Sequence, residues 1–386
     1  MAGTNQVPHK IRLGMVGGGQ GAFIGEVHRI AARLDNRFEL VAGALSSDNQ
    51  RALASADALG IDSKRSYSDF ENMAVREAKL KDGIEACVIV TPNHRHFPVA
   101  KAMLAAGIHV ICDKPLTSTL ADAEALQKLA QDSGLLFAVT YNYSGYPMVR
   151  EARDLIAADA LGEIRLVQVE YPQDWLASNI EAKGQKQATW RTDPAQAGAG
   201  GSIGDIGSHA FHLAEFVSGL NCTSLLADLH SFVPGRKLDD NAHVLLRFDN
   251  GARGTLWASQ VASGHENGLR LRIYGEKAGL EWFQEDPNVL LFKPIAAPLK
   301  KLTRGSSGIG ANAQFATRLP AGHPEGFLEG FANLYKEFAD CVQARRSGTP
   351  APATLLPTLA DGVRGVKFIE KVVASSRTGS IWQSLE

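Results

Sequence analysis

The chain lacks most of what would point away from an ordinary globular enzyme. Its four cysteines, Cys87, Cys112, Cys222 and Cys341, stand far apart and form no C-x-x-C pair, which removes the zinc-ribbon and dithiol readings. Cys87 and Cys112 lie in apolar runs, where a thiol is more at home buried than in a disulfide. No apolar run approaches the roughly 20 residues that cross a bilayer. The first eight residues are polar, without the apolar core of a signal peptide. Neither charge sign dominates: 40 Lys and Arg stand against 41 Asp and Glu, a formal net charge of -1. No global field therefore drives the chain towards nucleic acid or anionic lipid. No solenoid-type repeat is present. These absences leave a soluble cytoplasmic protein. A chain of 386 residues, 45% of them hydrophobic, can bury a large core and form two domains.

What is present begins with Gly17-Gly18-Gly19-Gln20-Gly21-Ala22. An apolar run from Ile11 to Val16 precedes it and a helical pattern follows. A strand, a tight glycine turn and a helix N-terminus make a pocket for a pyrophosphate, with Gly17, Gly19 and Ala22 in the fingerprint positions. Gly17 can take a backbone conformation closed to other residues, Gly19 lets the main chain approach phosphates, and Ala22 is expected to pack the helix on the sheet.

Strand and helix then alternate. The pattern predicts a strand over 38–45, helices over 49–59 and 69–78, and a short unit opening at Tyr67. It continues with a buried parallel strand at Ala86–Val90, a helix to Ala106, a fifth strand at His109–Cys112, a helix over 120–133 and a sixth strand over 135–140. This is the α/β pattern of a doubly wound parallel sheet, with ligands at the carboxyl ends of the strands, assigned to residues 1–140. The character changes near Tyr141. Helices are predicted over 147–158 and 203–218, a polar loop over 171–194, and strands over 164–169, 242–248, 252–260 and 269–274. Asn250-Gly251 marks a hairpin. A Gly/Ser/Ala-rich connection over 296–319 and helices over 327–343 and 359–375 complete the chain. Residues 141–386 thus read as an α+β domain on a mostly antiparallel, open-faced sheet, whose bare face a partner subunit could cover as a homodimer or homotetramer.

Three polar residues converge on the expected cofactor edge. Lys114 ends a strand and is followed by Pro115, which tolerates a cis bond. Asp205 and His209 stand four apart on a predicted helix, where a carboxylate can orient an imidazole as a general base. Gly198, Gly200, Gly201, Gly204 and Gly207 crowd this helix at a cost of ~1 kcal/mol each relative to alanine, so close approach to a ligand or another backbone is expected. His212 lies three residues beyond His209, but no cysteine cluster or further carboxylate joins them, and no metal is assigned.

Together these residues resemble the glucose–fructose oxidoreductase and inositol dehydrogenase (Gfo/Idh/MocA) family over nearly the whole chain. The resemblance rests on the glycine turn, Thr91-Pro92-Asn93 with His96, Asp113-Lys114-Pro115, Trp190-Arg191, and the run Gly200-Gly201-Ser202-Ile203-Gly204-Asp205-Ile206-Gly207-Ser208-His209. It implies Lys114, Asp205 and His209 as the catalytic set. It implies Gln20, Thr91, Pro92, Asn93, His96 and Asp113 beside the cofactor, and Trp190 and Arg191 along the substrate cleft. Asp113 replaces the family's glutamate, His212 stands where many members carry aspartate, and Tyr141-Asn142-Tyr143-Ser144 lacks an arginine often found there. Tyr171-Pro172-Gln173-Asp174-Trp175 looks like the loop of a sugar-acting branch that includes levoglucosan dehydrogenase. An aromatic face beside amides and a carboxylate suits a sugar. Tyr143, Trp175, His212 and His323 are the remaining substrate-side candidates.

For the cofactor, Ser46, Ser47 and Arg51 can receive a 2′-phosphate, which tilts the choice towards NADP, whereas Asp48 can serve a ribose hydroxyl if the loop curls back. NAD and NADP both stay open. The expected activity is hydride transfer between the nicotinamide and a secondary alcohol of a sugar or cyclitol. His209, oriented by Asp205 and assisted by Lys114, takes the proton. Two alternatives remain: net glycoside hydrolysis through transient oxidation, and a non-enzymatic dinucleotide sensor.

Overall fold

The computed structural model describes residues 9–386; the polar N-terminal stretch over 1–8 lies outside the described residues. The first half forms β1 (Ile11–Gly17), α1 (Phe23–Leu34), β2 (Phe38–Ala44), α2 (Asn49–Ala58), α3 (Phe70–Glu77), β3 (Ala86–Val90), α4 (His96–Ala105), β4 (His109–Cys112), α5 (Leu120–Ser133) and β5 (Phe137–Val139). All strand pairs are parallel, in the order β2-β1-β3-β4-β5. Five strands form where six were expected. The unit at Tyr67 makes a single parallel bridge, Gly43 to Ser66. Asp69 then caps α3 by accepting from Glu71 N and Asn72 N, which commits the chain to helix before a ladder can extend.

The second half forms α6 (Pro147–Ala157), β6 (Ile164–Pro172), α7 (Lys186–Arg191), α8 (Pro194–Ala197), α9 (Ser208–Ser218) and β7 (Cys222–His230), β8 (Asn241–Phe248), β9 (Arg253–Ser259), β10 (Arg270–Gly275). It continues with β11 (Ala278–Phe283), β12 (Val289–Pro294), β13 (Lys300–Thr303), α10 (Ala311–Ala316), α11 (Phe327–Arg346), α12 (Leu359–Arg377) and β14 (Gln383–Ser384). Nine strands lie in the order β13-β12-β11-β10-β6-β9-β8-β7-β14, antiparallel except for β6 beside β9. The Asn250-Gly251 turn joins β8 to β9 as expected. β7 and β11–β14 were not anticipated, and the 296–319 connection holds both β13 and α10.

Helices α6, α9 and α12 cover one face of this sheet with an apolar core that includes Val149, Phe211, Leu213 and Phe368. The opposite face is bare: Leu166 and Leu245 are each 47% exposed, among polar neighbours such as His243 and Thr255. The first sheet depends on the end of the chain. Phe331, Tyr335 and Phe338 of α11 pack with Ile11, Leu13, Met15 and Val88 on one face. Leu359 and Val366 of α12 join the core on the other. No helix among the described residues is long and apolar enough to cross a membrane.

Candidate active site

The glycine turn has the conformation its sequence requires. Gly17 has φ +84, and a Cβ there would stand 2.9 Å from Val90 O. Ala22 is the N-cap of α1 and no side chain caps that end. The first-turn N–H groups therefore stay open to an anion. Ala22 does not pack the helix on the sheet as expected; it is half-buried at the turn. That contact belongs to Gly25, where a Cβ would fall 2.4 Å from Gly18 Cα. Gln20 N donates to Ser55 Oγ at 3.2 Å and ties the turn to α2.

From here a cleft of about 810 Å³ runs between the carboxyl edge of the first sheet and the second half of the chain. Gly17, Gly19, Gln20, Ala22, Ser46, Arg51, Thr91, Pro92, Asn93, Asp113 and Lys114 line one side of it. Tyr143, Trp175, Trp190, Arg191, Asp205 and His209 line the other. Four expected residues stay outside. Ser47 is exposed beyond the wall. His96 is buried, with its two ring nitrogens paired to Pro115 O (2.8 Å) and Thr91 O (2.9 Å); it braces the two strand-end loops from beneath. His212 stacks flat on Tyr141, ring centroids 4.2 Å apart, facing away from the cleft wall. His323 is exposed, and its carbonyl accepts from Arg304. Among the described residues no group of three or more His, Cys, Asp or Glu is placed to hold a metal.

Two carboxylates have other duties than the sequence implied. Asp48 Oδ1 accepts from Arg51 N at 2.8 Å and caps α2, so the loop does not curl back to the cofactor. Asp113 Oδ1 accepts from Lys114 N (2.8 Å) and Thr140 Oγ1 (2.9 Å), which ties the ends of β4 and β5 together. Its short side chain suits that local task. Asn93 Nδ2 donates to Ala197 O at 2.8 Å, fastening the two sides of the cleft.

The Lys114-Pro115 bond is cis. Lys114 Nζ donates to Asp205 O at 2.6 Å and Asp205 Oδ1 at 3.0 Å. Asp205 Oδ2 accepts from Gln260 Nε2 at 2.9 Å and pairs with Arg191 Nε at 3.3 Å. Burial would raise the Asp205 carboxyl, but Lys114 and then Arg191 overcome it and hold the group well below the usual carboxylate range. This arrangement corrects the expectation that Asp205 orients His209. Three cationic or N–H partners from other elements occupy the carboxylate, and a buried neutral imidazole cannot compete with them.

Residues 203–207 form a π-helical turn leading into α9. Asp239 anchors its start by accepting from Gly201 N (2.6 Å), Ser202 Oγ (2.7 Å) and Ile203 N (2.9 Å). Within the glycine-rich run, Gly201 serves close approach to the Asp239 backbone, from whose carbonyl a Cβ would be 2.1 Å away, and Gly198 approaches Ser118 O in the same way (2.8 Å). His209 follows. Its ring meets Tyr143 edge-on at 4.9 Å and Tyr141 at 5.9 Å, and its Nδ1 is buried without a partner. Burial, then Lys114, lower its pKa well below the ordinary imidazole value, so it is neutral at neutral pH.

Facing this group is a wall of neutral polar side chains. Tyr143 hydrogen-bonds Tyr171, whose hydroxyl donates to Asn267 Oδ1 at 2.7 Å, as does Gln173 Nε2 at 2.7 Å. Trp190 lies under the Arg191 guanidinium, 4.3 Å from its ring centroid. Gln260, Asn267 and Gly25 were missed in the sequence. Gln260 follows β9 and Asn267 precedes β10, on a sheet whose strand order is not written in local pattern. Gly25 lay inside a helix, four residues past the glycine turn, where a glycine interrupting a helical run was the available signal.

Residues 11–141 match the family described as "Oxidoreductase family, NAD-binding Rossmann fold", and residues 149–281 match the "GFO/IDH/MocA C-terminal domain". The crystal structure of an oxidoreductase from Sinorhizobium meliloti is 55% identical over 97% of this chain and 99% of its own, with a TM-score of 0.89. An inositol dehydrogenase homolog from Azotobacter vinelandii, complexed with NADH and myo-inositol, is 36% identical over 98% of each chain, with a TM-score of 0.90. Levoglucosan dehydrogenase from Pseudarthrobacter phenanthrenivorans is 29% identical over 70% of this chain and 73% of its own.

Proposed function

The chain belongs to the Gfo/Idh/MocA family of oxidoreductases, and from that membership we propose that its cleft moves a hydride between NAD or NADP and a secondary alcohol of a sugar or cyclitol. The observation that carries the reading is the meeting of Lys114 and His209, from opposite sides, in the cleft whose far end is the glycine turn. That turn fits a dinucleotide: an uncapped helix N-terminus and a side-chain-free surface at Gly17 and Gly18 suit a pyrophosphate. Ser46 and Arg51, which line the cleft beside the turn, would hold the adenosine ribose. A bound nicotinamide supplies the two-electron acceptor or donor.

The protein's own residues do the rest. Tyr143, Tyr171, Gln173 and Asn267 offer hydroxyl and amide groups along the cleft, and Trp175 offers an apolar face. Arg191 is held by Asp205 and Trp190, and so closes one side of the site without presenting a free cation. Lys114 and His209 attend the reacting oxygen. The test is a panel of hexoses, anhydrosugars and inositols against both nucleotides, read at the absorbance of reduced nicotinamide. At least one neutral polyol should give substrate-dependent reduction. Tight nucleotide binding with no turnover across the panel would sink the reading, and product release without net reduction would replace it with hydrolysis.

The bare face of the nine-stranded sheet supports a homo-oligomer. It carries Leu166, Leu245 and the stacked His243–Trp257 pair, a half-apolar surface suited to a second copy. Leu245→Asp should shift a dimer or tetramer to monomer in light scattering coupled to gel filtration. A wild-type monomer at micromolar concentration would refute this.

A further inference from the structure

Behind α9, on the side away from the cleft, lies a second cavity of about 340 Å³ that the dehydrogenase reading does not use. Helices α6 and α9, the segment 354–357 and the start of α12 wall it. The wall over 354–357 is fixed in place. Leu355 N donates to Glu337 Oε1 at 3.0 Å, and Pro357 O accepts from Val139 N at 3.0 Å. Thr354 and Asn221 are exposed at the mouth. A preformed recess of this kind spares a ligand the cost of ordering its site.

His212 lines the recess from α9. Its ring is only 8% exposed, and Tyr141 and Phe216 stack against it at centroid distances of 4.2 and 5.7 Å. The ring edge is what a ligand can meet, and neither ring nitrogen has a partner among the described residues. A nine-tenths-buried imidazole left so is costly unless something in the recess pairs with it. Arg153 enters from α6. Its Nη1 donates to Phe216 O in the last turn of α9, and its guanidinium lies 4.9 Å from the Phe216 ring centroid. No carboxylate among the described residues pairs with it, and Nε and Nη2 stay free. Asp361 enters from α12. Its Oδ2 accepts from Thr358 N (2.6 Å) and Thr358 Oγ1 (2.7 Å), which leaves Oδ1 open. The other two charges cancel: Arg364 Nε and Nη2 meet Glu215 at 3.0 and 2.6 Å.

One unpaired guanidinium, one open carboxylate oxygen and an imidazole edge define their own complement. It carries a carboxylate for Arg153 and a hydroxyl or ammonium donor for Asp361 and His212. Inorganic phosphate is a poorer match, because its second charge would face Asp361 with no further unpaired cation. A sugar is a poorer match as well. Phe216 already carries Arg153 and His212, and Phe211 is taken by Phe368 (4.0 Å) and Arg364 (5.8 Å), so no aromatic face is left to stack on. We propose that this recess binds a small organic carboxylate bearing a hydroxyl or ammonium group, held by Arg153, and that its occupancy reaches His209 through Tyr141. The Tyr141 ring lies flat on His212 and meets His209 edge-on at 5.9 Å, which makes it the one ring shared by the two sites.

Calorimetric titration of the nucleotide-bound protein with glycolate, lactate, glycine and alanine tests the site. At least one should bind saturably with a Kd at or below about 1 mM. Arg153→Gln should weaken it about 10-fold or more, with nucleotide affinity unchanged as the sign that the variant folds. Lys114→Ala should leave it within a few-fold. The reverse pattern would place the carboxylate in the active-site cleft and overturn the proposal, as would no saturation by any of the four up to about 10 mM. Asp361→Asn keeps a carbonyl oxygen for the helix cap but loses the charge. It should weaken an amino acid more than a hydroxy acid, which tells the two sources apart. In ¹⁵N-histidine spectra the bound probe should move the His212 signals and then those of His209. Movement of His212 alone refutes the link through Tyr141, and movement of neither refutes the site, whether or not the Arg153 variant folds. None of these readouts needs turnover, so the site stands or falls apart from the dehydrogenase reading.

Discussion

Lys114→Ala should bind dinucleotide normally and turn over about 10³–10⁴-fold more slowly, since general acid–base transfer is worth about 10²–10⁴ and the positioned ammonium also orients the substrate oxygen. The substitution removes the ammonium that pairs with Asp205 while leaving the rest of that network in place. Asp205 keeps Arg191 and Gln260 as partners, so the π-helical turn and His209 should hold their positions. The glycine turn lies at the other end of the cleft and makes no hydrogen bond to Lys114. Single-turnover absorbance of reduced nicotinamide separates the two effects: the nucleotide dissociation constant stays within a few-fold while the hydride-transfer rate collapses. Small primary amines added to Lys114→Ala should restore part of the rate. Wild-type turnover in this variant would remove Lys114 from the chemistry.

Acidification should begin to destabilise the protein above the pH at which its carboxylates titrate. Burial lowers His28 to about 4, and burial together with Arg153 lowers His212 to about 4, against an ordinary value of 6.5. A histidine with a depressed folded pKa contributes stability that is complete above the unfolded value and is lost as pH falls towards the folded one. The window is therefore pH 6.5 down to 4. Each of these two buried rings is worth about 3 kcal/mol by pH 4 and about 2 kcal/mol at pH 5, order-of-magnitude figures from 1.36 kcal/mol per pH unit. Together they approach the ~5–15 kcal/mol that holds a typical domain folded. Asp205 acts in the same direction below pH 4, where Lys114 and Arg191 would lose their shared anion. Urea denaturation at pH 7 and pH 5 should differ by several kcal/mol, and His28→Gln should flatten the slope by about half. Equal stability at the two pH values would contradict the burial argument.

The first sheet was legible because its strands announce themselves locally. Ala86–Val90 is an unbroken apolar run that a strand covered on both faces needs, and the glycine turn sits between a strand and a helix. The strand expected at Tyr67 failed because Tyr67 follows one bridging residue and precedes a strong helix cap at Asp69, a competition visible only once both are seen. In the second sheet the Asn-Gly hairpin was readable, whereas β7 and β11–β13 were not. Their pairing joins residues far apart in sequence, and alternation alone does not separate a strand from a loop that passes over a surface.

The site was legible as a set of residues and less so as a set of roles. Lys114, Asp205 and His209 do face one cleft. That Asp205 serves Lys114 rather than His209 follows from Gln260 and Arg191, which reach it from β9's end and from α7. Helical spacing brought Asp205 and His209 to one side, but the strength of competing cations decided the pairing. His96 and His212 were misplaced for a related reason. A histidine in a motif and a histidine in a core look alike until its two nitrogens, or its two ring faces, are accounted for.

The packing of α11 and α12 on the first sheet bears on how the chain is made. Ile11, Leu13, Met15 and Val88 find Phe331, Tyr335 and Phe338 only after more than 300 residues have been synthesised. A nascent chain that has completed all five parallel strands still presents an apolar face to solvent until its last sixty residues arrive. Domains usually mature in order of synthesis; here the nucleotide-binding half waits for α11 and α12, made long after its own strands. Its competence to bind cofactor is thereby tied to the synthesis of those two helices.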